Sequence, residues 1–177
     1  MEKGNICNNF SIKSDDKKNT LISGYASVFG VVDSHNDVIE KGAFKNVKSD
    51  GIKLLWQHDK FKPIGIIKSI NEDDYGLKIE AEINNRTTYG NEASELIKQK
   101  AVTGLSIGFF AEDFEYIDEG VRLLKKLNLM EISIVTFPAN ISANITDVKS
   151  MNGLNTSKTL KRIEEIIEEL INFNTRL

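Results

Sequence analysis

The stretch Gly104-Leu105-Ser106-Ile107-Gly108 sets a serine between two glycines. A serine hydroxyl attacks a carbonyl only when a base within hydrogen-bond reach takes its proton, most often a histidine steadied by a carboxylate. The chain offers two histidines, His35 and His58. His58 ends the apolar run KLLWQH (53–58), where a side chain is both oriented and reachable. If that run is extended, His58 shares a face with Leu54 and Trp56. His35 lies in the turn cluster DSHND, a solvated setting, which makes His58 the stronger candidate base. Two carboxylates compete for the supporting place. Asp59 adjoins His58, but successive strand residues point to opposite faces. Glu131 interrupts the apolar strand LNLMEISIVTF, where a carboxylate is costly unless paired. An ion pair with lysine or arginine would meet that need as well as an imidazole would.

The spelling G-x-S-x-G is also that of the nucleophile elbow of lipases and esterases, in which acid and histidine follow the serine and a helix follows the turn. Here both histidines precede Ser106, and FFAEDFEYI after it reads as strand. In a strand, Leu105, Ile107 and Phe109 take one face and Gly104, Ser106 and Gly108 the other, which leaves room for a substrate backbone. The same pattern suits a small residue in a tightly packed wall. No metal or other cofactor is called for. The two histidines match no zinc-ligand spacing, and DSHND lacks the length and closing glutamate of a calcium loop.

The elements that would carry these residues are short apolar runs broken by turns. LISGYASVFGVV, VIEKGAF, KLLWQH, IGIIKSI (64–70) and GLKIEAEI (76–83) read as strands, the last two joined through NEDDY. NEASELIKQK (91–100) breaks the rhythm: Asn91 caps a predicted helix with Ala93, Leu96 and Ile97 on one face. Strands resume in TGLSIGFFAEDFEYI and VRLLKKLNLMEISIVTF. Many short strands with one or two helices predict a mainly β fold, a closed or half-closed β-barrel with flanking helices. This domain spans 1–140. A polar stretch at 141–158 reads as a linker, and 159–177 as an amphipathic helix or tail with Leu160, Ile163, Ile167 and Leu170 on one stripe.

Composition narrows the setting. A hydrophobic content of 40% across 177 residues permits a full core, and a net charge of −3 argues against a nucleic-acid partner. The single cysteine, Cys7, excludes an internal disulfide and suits a reducing compartment. With no signal-peptide pattern and no apolar run near the roughly 20 residues of a membrane span, the expectation is a soluble protein with no membrane partner.

The words WQHD, KAVTGLSIGF and LMEISIVTFPAN carry His58, Ser106 and Glu131 in that order, and GYASVFGVVDSHNDVIEKGAF, PIGIIKSI and DDYGLKIEAEI surround them. Together, from about Gly24 to Asn140, they resemble the prohead proteases of tailed phages and, more remotely, the herpesvirus assemblins. The resemblance implies a herpesvirus-protease-like closed β-barrel and a serine endopeptidase inside an assembling procapsid in the host cytoplasm. It would cut scaffold or an extension of the major capsid protein, and itself. The same resemblance puts His58 on the general base and Ser106 on the nucleophile, with Glu131 the best match for the third member. The alternative is a non-catalytic scaffold or chaperone on the same barrel. The C-terminal stripe would suit a homo-oligomer, a fold-back, a tether or a segment trimmed on maturation.

Overall fold

The computed structural model describes residues 19–117 and 120–150. Eight strands form one sheet: β1 (Thr20–Val28), β2 (Asp37–Ile39), β3 (Lys53–Trp56), β4 (Asp59–Glu72), β5 (Gly76–Ile83), β6 (Gly104–Tyr116), β7 (Arg122–Val135) and β8 (Ile145–Ser150). One helix, α1 (Thr88–Lys98), falls between β5 and β6.

Strand β7 organises the part of the sheet that matters for chemistry. β6 pairs antiparallel with it along nearly its whole length, which occupies one edge. The other edge is shared by two parallel partners, β2 at Arg122–Leu124 and β3 at Glu131–Ile134. From β3 the sheet continues through β4, β5, β1 and β8.

The expected alternation in β5 is present: Leu77, Ile79, Ala81 and Ile83 are buried while Lys78 and Glu80 are exposed. These side chains meet Leu54, Trp56, Ile64, Leu105, Ile132 and Ile134 in one core, which Ala93 and Ile97 of α1 cover. The helix begins earlier than Asn91. Thr87 is its N-cap, its hydroxyl accepting from the Gly90 N–H at 3.1 Å.

The closed barrel is not formed. Where β6 and β8 approach, one isolated bridge joins Gly104 to Asn144, flanked by bonds from Leu105 N–H to the Ala143 carbonyl (3.0 Å) and from Ile145 N–H to the Thr103 carbonyl (2.9 Å). Past that point β8 pairs with β1 and β6 with β7, so the two run apart and no continuous ladder closes the circle. The stretch expected as a linker also contains structure, since residues 145–150 are the edge strand β8. Residues 151–158 of that stretch and the expected C-terminal helix lie outside the described residues. Among the described residues, no helix is long and apolar enough to cross a membrane.

Candidate active site

Ser106 stands on β6 directly opposite Ser133 of β7, and Gly108 directly opposite Glu131. Paired residues in an antiparallel ladder present their side chains to the same face, so serine and carboxylate share a side of the sheet. The two glycines around Ser106 are there for packing. A Cβ on Gly108 would run into the Glu131 carboxylate, coming within 2.9 Å of its Cγ. A Cβ on Gly104 would meet the Val135 carbonyl oxygen at 2.7 Å and Pro138 Cδ at 2.8 Å. The room they make is filled by the protein itself, not held open for a substrate backbone.

His58 is not on an extended strand end. Trp56 pairs with Asp59, so Gln57 and His58 form a two-residue hairpin turn, with φ of 56° and 58°. Left-handed backbone at both positions matches the twist of a tight hairpin but suits Asn-Gly, and costs about 1–2 kcal/mol for each residue with a Cβ. Strand β7 and the residue after it hold the turn down. The Gln57 N–H donates to the Ile134 carbonyl (3.0 Å). Its side chain donates to Thr136 Oγ1 (2.9 Å) and accepts from the Thr136 N–H (3.2 Å). The His58 N–H donates to Ser133 Oγ (3.1 Å).

From this turn the imidazole reaches Glu131, with Nδ1 2.6 Å from Oε1. The carboxylate is largely covered, its side chain 14% exposed against 45% for His58. Its second oxygen accepts from the Ser133 hydroxyl at 2.6 Å. With Nδ1 given to the acid, Nε2 is the nitrogen free to act as a base. His58 and Ser106 line one cleft of about 390 Å³, together with His35, Asp33, Ile107 and the exposed Phe137.

The other candidates are placed as clearly. Asp59 is engaged elsewhere: it accepts from the Phe61 N–H (2.9 Å) and pairs with Lys62 (3.0 Å), and these bonds hold its pKa below the usual carboxylate value. His35 keeps its turn but belongs to the cleft wall. That turn is built on Asp33, whose Oδ1 accepts from the N–H groups of His35 (2.8 Å) and Asp37 (2.9 Å). It is anchored below by a pair that sequence reasoning missed. Buried Asp37 takes both Nε (2.7 Å) and Nη2 (2.6 Å) of Arg122, raising the guanidinium pKa. Ser133 was missed too, although its spacing of two from Glu131 puts both on one strand face. Among the described residues, no group of three or more His, Cys, Asp or Glu is arranged to hold a metal ion.

A serine and an acid-backed imidazole in one cleft are the parts of an activated nucleophile. The chain is similar to known phage proteins. The family model described as caudovirus prohead serine protease matches residues 8–159. The prohead protease of Enterobacteria phage HK97 is 33% identical over 153 residues, covering 82% of this chain and 68% of that protein. The capsid polyprotein of Pseudomonas phage PAJU2 is 34% identical over 161 residues, covering 86% of this chain and 23% of that protein. Among solved structures, KSHV protease aligns with a TM-score of 0.56 at 9% identity, over 85% of this chain and 77% of that one. That likeness is one of fold.

Proposed function

The chain belongs to the caudovirus prohead serine protease family, and from that premise we propose that it is the maturation protease of a phage prohead, using Ser106 as nucleophile, His58 as base and Glu131 as the acid that orients it. The observation that carries the assignment is the 2.6 Å bond from His58 Nδ1 to Glu131 in a cleft that Ser106 also lines. It commits the imidazole to the tautomer that leaves Nε2 able to take a proton.

Ser106 Oγ attacks the scissile carbonyl as His58 takes its proton. The imidazolium is stabilised by ionised Glu131 and then protonates the leaving amine. Water, deprotonated by the same nitrogen, hydrolyses the acyl-enzyme. The substrate is the extension of the major capsid protein or a separate scaffold, and the protease itself, within the procapsid in the host cytoplasm. The match to a segment of a capsid polyprotein supports a capsid-protein substrate, because there the matching segment is part of one chain with capsid sequence.

The test is intact-mass spectrometry after exposure to a fluorophosphonate. One adduct is expected on the unaltered protein and none on Ser106→Ala or His58→Ala. Ser106→Ala removes only an oxygen, so its melting temperature should match that of the parent while turnover falls about a thousandfold or more. An adduct surviving in Ser106→Ala would move the nucleophile elsewhere. A parent protein that never labels would favour a non-catalytic assembly role.

A further inference from the structure

Ser133 makes two bonds that tie together the two supporting members of the site. It sits on β7 between Ile132 and Ile134, all three fully buried. Its hydroxyl donates to Glu131 Oε2 at 2.6 Å and accepts from the His58 backbone N–H at 3.1 Å. It does not border the cleft, so it cannot touch a substrate there. We infer that Ser133 is a positioning residue, whose one hydroxyl sets both the rotation of the Glu131 carboxylate and the seat of the His58 turn. This rests on the assignment of His58 and Glu131 made above.

The chemistry follows from which atom is left over. A carboxylate has two equivalent oxygens and turns easily about its last bond. Occupying Oε2 with a donor leaves Oε1 aimed at Nδ1 and satisfies a covered oxygen that would otherwise lack a partner. The Gly108 backbone closes the opposite side, since no Cβ fits there. Accepting the His58 N–H fixes the ring's backbone at a position whose left-handed φ it would not choose alone. Neither bond reaches a substrate. Losing them therefore scrambles the imidazole tautomer and slows proton transfer, while substrate binding stays as it was.

Ser133→Ala in the full chain tests this through three readouts: the saturating rate and half-saturation concentration for phosphonylation by the fluorophosphonate, the ring ¹⁵N shifts of His58 in histidine-labelled protein, and the melting curve. The expected result is a saturating rate lower by about ten- to a hundredfold, the same order as losing the group that orients a metal-bound histidine. Half-saturation should be unchanged, and His58 should shift from the Nδ1–H form to a tautomer mixture. If the alanine variant does not fold, Ser133→Cys, which keeps a weak donor, should change the same readouts in the same direction by less. A wild-type rate with the Nδ1–H form intact overturns the inference, as does a lower rate with the tautomer unmoved. Ser106→Ala and His58→Ala run alongside separate the two claims. Labelling that survives in them overturns the triad itself, whereas their silence with a normal Ser133→Ala overturns only the role of Ser133.

Discussion

Gly108 carries no functional group, yet the position of the acid depends on it. A methyl at this position occupies space held by the Glu131 carboxylate, and the side chain, being the more flexible partner, gives way. Gly108→Ala should therefore keep the β6–β7 pairing and lose phosphonylation rate, by at least about tenfold if it breaks the support of the histidine as losing the partner of a metal-bound histidine does. Circular dichroism and fluorophosphonate kinetics check the two halves. Glu131→Gln keeps the shape but can present an N–H to Nδ1 and so favours the wrong tautomer, the defect that costs about 10⁴-fold when an orienting aspartate becomes asparagine. Its loss should be real but smaller than that of Ser106→Ala, and an unchanged phosphonylation rate would remove Glu131 from the triad. At this scale the sequence was informative. Ser106 and Glu131 are polar residues in apolar strands and His58 closes an apolar run, where a charge or a hydroxyl stands out. Ser133 escaped because an uncharged serine among isoleucines carries little desolvation cost to draw notice.

Two hairpin turns show how local chemistry sets what a strand can present. Between β4 and β5, the Asp73 carboxylate accepts from the Tyr25 hydroxyl (2.8 Å) and from the N–H groups of Tyr75 (2.8 Å) and Gly76 (3.0 Å). The Tyr25 bond first, then the two N–H groups, lower its pKa. A carboxyl lowered on folding stabilises the fold above its unfolded value and loses that contribution as pH falls through the folded one. The melting-temperature gap between the parent and Asp73→Asn should thus be full above about pH 4 and narrow in more acid solution. That turn was legible in NEDDY. The turn at 57–58 was not, because Gln-His has none of the left-handed preference of Asn-Gly and is held by bonds from β7. Strand β8 was hidden for another reason. None of its residues is buried, so an edge strand read as polar linker shows no alternation.

For the whole molecule, the mainly β character was legible and the closure was not, since closure depends on where two distant edges meet. The seam runs past Gly24, where a Cβ would press on the Asn144 carbonyl oxygen and come within 2.8 Å of Ile145 Cα. Gly24→Ala should cost about 1–3 kcal/mol through overpacking against backbone and lower the melting temperature by roughly 2–12 °C, read by a thermal melt. Strand β7 has a different consequence. It is the last long strand among the described residues, yet its place is in the middle, between β3 and β6. His58 is made 73 residues before the carboxylate that it needs, and the other bonds that seat its turn go to Ser133, Ile134 and Thr136. On the proposed assignment, a nascent chain displays its serine and its histidine with neither oriented. Insertion of this one strand supports both together, so a chain lacking β7 has no oriented site.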